Sequence, residues 1–436
     1  MHIICLLGLM LASWTAMAVD YRACPDDYRQ YLARLQPGDR LLLEAGDYTR
    51  GLPLHRLEGK AENPIVVEGP ANGERARFIA RAGANTVSLL DVSHLVIRNL
   101  ELDGRNLPVD AVKAEGHARF AHHVTLENLY IHDHAASQQN VGISSKCPAF
   151  GWVIRGNRIE RVGTGIYLGN SNGQAPFVGG LIEGNAVLDT LGYNLQIKHQ
   201  QPRPEGLPEA DARHDTIIRH NFFSKANSLP GPNARPNVLV GHLPVSGPGQ
   251  EDRYLVHGNL FWQNPGESLF QGEGNVALYN NVFLTQGPDA IRIQPHNAVP
   301  REVSILHNTV LAANNGITVR VRDDNVHRQV VAGNAVFAAR PIEGGEQAGN
   351  QVGAYARAGS FLTHPHAPLE RVDLTPRAGR LQGDDRWPPL SSPLPGMETD
   401  MSGHARRPGM LGAYGQPGPE PLKSWLDRRG FGVRGQ

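Results

Sequence analysis

Bases and cations recur at matched positions in short alternating segments of this 436-residue chain. Lys146, Lys198 and Arg320 close the segments 141–146, 194–198 and 316–320; Gln294 closes 290–294, and His199, His242, His296 and Arg322 lie just past such ends. Two residues before these ends stand Ser144, Tyr167, Gln196, Leu239, Arg292 and Thr318. Side chains alternate across a strand, so positions two apart share a face. Stacked segments therefore line one face with ammonium, guanidinium, imidazole and amide groups. That face suits an acidic sugar chain, with Lys146, Arg292 and Arg322 for carboxylates, Gln196 and Gln294 for hydroxyls, Tyr167 to stack on a ring, and His199 as a further binding group. It also suits chemistry on a uronate. The C5 proton beside the carboxylate is weakly acidic, and its removal needs a neutralised carboxylate and a positioned base. A lysine among other cations has its proton affinity lowered. Lys198, flanked by Lys146 and His199, fits that role.

The elements that must position these groups show themselves as a repeat. A unit of apolar residues ending in Asn recurs at Asn99, Asn128, Asn157, Asn185, Asn221, Asn259, Asn281, Asn308 and Asn334, at intervals of 22 to 38 residues. Such a period matches one coil of a parallel β-helix, three short strands per turn. Asn suits a tight corner because it tolerates the left-handed conformation and its amide can hydrogen-bond along a stack. The alternating segments form a second strand set between the corners, with inward Ile, Leu and Val stacked at ~4.8 Å per rung. The expected fold is an all-β, single-stranded right-handed parallel β-helix. Residues 19–70 read as cap and first coils, 71–345 as the helix, and 346–436 as an irregular segment with a closing strand at Met410–Tyr414. The two longest intervals imply insertions at 199–214 and 243–252, beside groove strands, where binding loops commonly sit.

Composition narrows the partners. Lys plus Arg and Asp plus Glu both number 42, which gives no sign of nucleic acid or of an anionic membrane. An apolar run from Ile3 to Trp14 ends in Ala16-Met17-Ala18, the small-x-small form of a signal cleavage site. Residues 1–18 therefore read as a leader, the mature chain as a periplasmic or secreted monomer. Cleavage leaves Cys24 and Cys147, and pairing them would tie the N-terminal cap to an early coil. No ligand spacing suggests zinc, and no metal or other cofactor is expected from these residues.

Pro37-Gly-Asp-Arg-Leu-Leu-Leu-Glu-Ala-Gly-Asp-Tyr48 with Asn63-Pro-Ile-Val-Val67 resembles the N-terminus of polysaccharide lyase family six, the alginate lyases and chondroitinase B. The resemblance continues at Asn194-Leu-Gln-Ile-Lys198 and Thr216-Ile-Ile-Arg-His-Asn-Phe-Phe223. It implies Lys198 as C5 proton acceptor and β-elimination of an acidic polysaccharide. This chain has Gly241-His242 where that family's next coil supplies an arginine donor, which leaves His242 or a tyrosine as the acid. Tyr193 and Asn194 stand where the family carries calcium-binding acids, so calcium is the one ion the resemblance admits, without its usual ligands. Gln294-Pro-His-Asn297 and Gly316–Arg322 resemble segments of periplasmic mannuronan C5-epimerases. That likeness implies His296 as base, with Arg320 or Arg322 holding the carboxylate. A non-catalytic polysaccharide-binding protein is the alternative from another class. His132-Asp133-His134 reads as a turn after a strand, and Asp323-Asp324 lacks a partner acid for hydrolysis.

Overall fold

The computed structural model of the chain describes residues 17–231, 233–321, 325–384, 388–390 and 392–431. Most of the segment read as a leader, residues 1–16, lies outside them. The chain is an all-β right-handed parallel β-helix. Three ladders of parallel strands run its length. The first begins at Asp20–Ala23 and Arg40–Leu43 and ends at Glu346–Ala348. The second runs from Gly46–Tyr48 to Gln351–Gly353. The third carries the alternating segments: Val141–Ser145, Thr164–Leu168, Leu195–Ile197, Val238–Val240, Phe270–Gly272 and Asp289–Ile293 pair in that order. Thr309–Val319 then runs through the second and third ladders without a break.

Alternation drives one set of side chains inward. Ile143, Ile166, Leu195, Val238, Phe270, Ile291 and Ile317 are fully buried and stacked in register. At the corner between the first two ladders, Asn157, Asn185, Asn221, Asn259, Asn281, Asn308, Asn334 and Asn350 form a continuous amide ladder. Each Nδ2 donates to the next Oδ1 at 2.9–3.0 Å. The same Oδ1 accepts the backbone N–H of the asparagine one coil earlier.

This ladder revises the reason for asparagine at the corner. The left-handed residue is the one before it: Gly156, Gly184, His220, Gly258, Asn280, His307 or Gly333, at φ of 50 to 67°. Asn99 and Asn128 occupy that preceding position themselves, at φ of 60 and 51°. They sit one residue out of step with the rest. Leu129 lies under Asn157 and donates its N–H to the Asn157 Oδ1 at 2.9 Å.

The ends differ from expectation in detail. The repeat continues past 345, since Gln351–Gly353 still pairs with Ala335–Glu343 and Asn350 still caps the amide ladder. Met410–Tyr414 is not a closing strand. Met410 makes one isolated bridge to Gln382, and Gly412 donates its N–H to Gly333 O at 2.8 Å. Tyr414, Trp425 and Met401 bury instead against Phe222, Leu260, Leu311 and Phe337 on the outer face of the second ladder. At the other end Tyr28, before the short helix Arg29–Leu32, packs edge-on to Tyr48, which stacks on Phe78. Cys24 and Cys147 are free thiols. Five rung steps separate the strands beside them, roughly 24 Å at the rung spacing, whereas a disulfide needs Cα atoms within about 7 Å. His132 and His134 lie within the strand Tyr130–His134, not in a turn.

Replacing Asn259 with leucine should show how much the amide ladder contributes. It strands the Asn221 N–H groups and takes the side-chain donor from the Ile218 carbonyl and the Asn281 Oδ1, which keeps the backbone N–H of residue 259, for a loss on the order of 3–5 kcal/mol. Asn128→Gly, at an exposed left-handed position, should change stability by less than about 1 kcal/mol. Denaturant titration of both variants measures the contrast, and equal losses would refute the role given to the buried ladder.

Candidate functional site

Beyond the last paired residues of the third ladder the chain continues in step. Lys198 donates its N–H to Leu168 O, Gly241 to Ile197 O and Gln294 to Gly272 O. The resulting column reads Gly169, Lys198, Gly241, Glu273, Gln294, Arg320. Lys198 thus stands between two glycines. A Cβ on Gly241 would come within 2.4 Å of the His199 nitrogen and 2.8 Å of the Lys198 carbonyl carbon, so no side chain fits there. No side chain therefore flanks Lys198 on either adjacent rung of the column, and Glu273 is the next side chain, two rungs on.

A cavity of about 490 Å³ opens over this column, lined by Lys198, Gln196, His199, Gln294 and His296. Sequence reasoning placed all five on the binding face. Tyr193, Arg235, Glu267, Gln271 and Glu273 line it as well, and of these Arg235, Glu267 and Gln271 were not foreseen. Gln271 was legible, because it fills the gap between Leu239 and Arg292 in the outward ladder. Arg235 comes from the loop before Val238–Val240, a Pro- and Gly-rich stretch without periodicity. Its carbonyl is fixed by the Lys225 Nζ and the Asn264 Nδ2, each at 2.8 Å.

Loss of hydration dominates the charges here. It lowers the pKa of Lys198, with Glu273 opposing. It raises that of Glu273 to about 7, against the pull of the Asn297 N–H and Lys198. Asn297 donates its N–H to Glu273 Oε1 at 2.7 Å, which holds the loop carrying His296 against the groove. Glu273 Oε2 is buried without a partner. Burial also lowers His199 and raises the Tyr193 phenol.

Other expected site residues fall elsewhere. His242 does not line the cavity: it is buried, its Nε2 has no hydrogen-bond partner, and burial depresses its pKa to about 4. Past the strand end, alternation no longer sets side-chain direction. Lys146 lies over the Tyr167 ring, Nζ 3.1 Å from the centroid, so that face of Tyr167 is covered and neither residue reaches the cavity. Burial lowers the pKa of Lys146 to about 7. Arg292 is held in ion pairs with Asp289 and, at 3.2 Å, with Glu267. Lys113 pairs with the buried Asp110 at 3.8 Å. The face therefore mixes signs more than its sequence suggested. Arg320 is exposed and does not line the cavity; Arg322, Asp323 and Asp324 lie outside the described residues.

The insertions at 199–214 and 243–252 flank this column and are tied together. Arg203 pairs with Asp252 in a buried ion pair, and Asp252 Oδ1 accepts the His214 N–H at 2.8 Å. Arg203 also donates to the carbonyls of Ala210 and Ala212.

No family model matches the chain, and no curated protein matches it by sequence. Among solved structures it is similar to the PL6 family alginate lyase AlyGC, with a TM-score of 0.52 and 12% identity over 83% of this chain and 55% of that one. It is also similar to pectate lyase Pel9A, with a TM-score of 0.51 and 13% identity over 92% of this chain and 97% of that one. The chain thus spans about half the length of that alginate lyase. Identities this low establish a shared architecture and nothing finer: the fold is the right-handed parallel β-helix found in these polysaccharide lyases.

Proposed function

We propose that the chain is a polysaccharide lyase that cleaves a uronate-containing polysaccharide by β-elimination, acting outside the cytoplasm. The observation that carries this reading is Lys198: a partly desolvated lysine with lowered pKa, between Gly169 and Gly241 in the column, lining a polar cavity. In its neutral form Lys198 takes the C5 proton, electrons move to form the C4–C5 double bond, and the C4–O bond breaks. Tyr193 lines the same cavity with a phenol that burial keeps protonated, and it supplies the proton to the departing oxygen. Arg235 and His296 are the groups that meet uronate carboxylates. Calcium is not required by any of these assignments. Epimerisation from His296, with Arg320 or Arg322 holding the carboxylate, shares the first step; Arg320 does not line the cavity and Arg322 lies outside the described residues, whereas elimination from Lys198 uses only residues that line it.

Ultraviolet absorbance of the purified chain with alginate, polygalacturonate, chondroitin and hyaluronan, with and without calcium, tests the reading. A rise with one polymer is expected from the unsaturated product. Lys198→Ala should abolish that rise while shifting stability by less than about 1 kcal/mol. Silence on every polymer, together with thermal protection by one of them, would make the chain a binding protein and sink the lyase assignment.

The pH profile adds a separate check. The base works unprotonated, so kcat/KM should climb as pH rises through the Lys198 pKa. The Glu273 carboxylate raises that pKa. Glu273→Gln removes the charge, and the climb should therefore move to lower pH. A profile that stays put, or moves upward, would show that Lys198 is not the titrating base.

A further inference from the structure

A second cluster lies on the first ladder, apart from the groove cavity. His94, His122 and His123 each offer a ring nitrogen, and these atoms lie within 4.8 Å of one another. The Nδ1 atoms of His122 and His123 are 2.9 Å apart. The rings of His94 and His123 stack with centroids 4.4 Å apart and planes 7° from parallel. All three residues are partly exposed. Phe120 packs against His122 and Phe150 against His123, so the rings are held from the side.

The backbone beneath them is the informative part. Val92 pairs with Ala121, and Ala121 with Ala149, which pairs with Phe177. Two residues on, His94, His123, Gly151 and Gly179 therefore occupy one position in four successive coils. All four are left-handed, at φ of 47, 52, 64 and 60°. Two coils meet that constraint with glycine, which bears it without steric cost. The other two carry histidine, at a conformation a side chain rarely takes. The two imidazoles therefore stand where glycine would be the cheaper residue.

We propose that His94, His122 and His123 bind a divalent transition-metal ion of the zinc class, joining two successive coils. Imidazole nitrogens are favoured ligands for such ions, and three of them leave a fourth position for water or an outside ligand. Neutral His122 and His123 share one proton between their Nδ1 atoms. Binding moves that proton to the Nε2 of the same ring and gives both Nδ1 lone pairs to the metal. The Glu209 carboxylate lies near enough to His123 to favour a cation there. A second grouping, Asp103, His132 and Asp133, is already occupied by protein partners: His132 reaches Glu101 at 3.2 Å, and Asp133 pairs with Arg161 at 2.8 Å.

Calorimetric titration of the untagged full chain with Zn2+ alone, and separately with Ca2+, tests this. One equivalent of Zn2+ should bind, Ca2+ should not compete, and the thermal transition should rise with Zn2+. His94→Gly and His123→Gly should each weaken Zn2+ binding by more than about tenfold. Both variants should fold, because glycine is the residue the next two coils use at that position. His132→Gln should leave Zn2+ affinity unchanged. Absence of Zn2+ binding, or undiminished binding in the double glycine variant, would overturn the proposal.

Discussion

The amide ladder from Asn157 to Asn350 holds each coil over the one before it in a single register. Its asparagines are almost all wholly buried, and a buried amide left unpaired costs more than a paired one contributes. A coil that slipped by one residue would break two hydrogen bonds at its own asparagine and two at the next. It would also turn its strands inside out, since strand side chains alternate with a period of two. In the third ladder the penalty is easy to picture: Ile197 would face water and Gln196 the core. The column that holds Gly169, Lys198, Gly241 and Glu273 in line exists because that slip is forbidden.

Within the column, competition between hydration and charge decides what Lys198 can do. Lys198 and Glu273 stand two rungs apart, about 10 Å at the backbone. At that range, with an effective dielectric near 20, opposite charges attract by about 1–2 kcal/mol. Both groups nevertheless shift towards their neutral forms. Burial therefore outweighs the attraction at each. A direct ion pair would have reversed that outcome and fixed Lys198 in its charged, non-basic form. Gly241, which cannot carry a side chain, keeps a third group from closing the gap between them.

The fold was legible because a solenoid writes its contacts into the sequence at one period. The outward set Ser144, Tyr167, Gln196, Leu239, Arg292 and Thr318 is in register in the structure as alternation required. Gln196, Lys198, His199, Gln294 and His296 met in one cavity for the same reason. Failures began where strands stop. His242 follows a glycine past the strand end and turns inward. Arg292 lies on the correct face, but Asp289 and Glu267, which neutralise it, were not read as its neighbours. The asparagine count hid a one-residue offset at Asn128, since spacing alone does not distinguish the left-handed residue from the amide that follows it. His94 and His123 lie 29 residues apart, one coil, a spacing that short metal-ligand motifs do not cover.

A generic coil becomes a site through departures from its own repeat. The segments 199–214, 225–237 and 243–252 leave from neighbouring coils beside the Lys198 column, and His199, Ala234, Arg235 and Pro236 among them line its cavity. Loops of this length would be costly to order one by one, because each fixed residue loses conformational freedom. Here the cost is shared through a few buried polar contacts. Arg203 is almost wholly buried and meets Asp252 from the other insertion through Nη2, while its Nη1 reaches the carbonyls of Ala210 and Ala212. The middle loop is fixed through Arg235 O by Lys225 and Asn264. A buried charge pair contributes little net stability, yet removing one partner leaves the other stranded at a cost of about 3–5 kcal/mol. That asymmetry makes such a pair a poor source of stability and a strong determinant of loop geometry. The coils fix where Lys198 stands, and the contacts to Arg235 O fix a loop that lines the cavity above it.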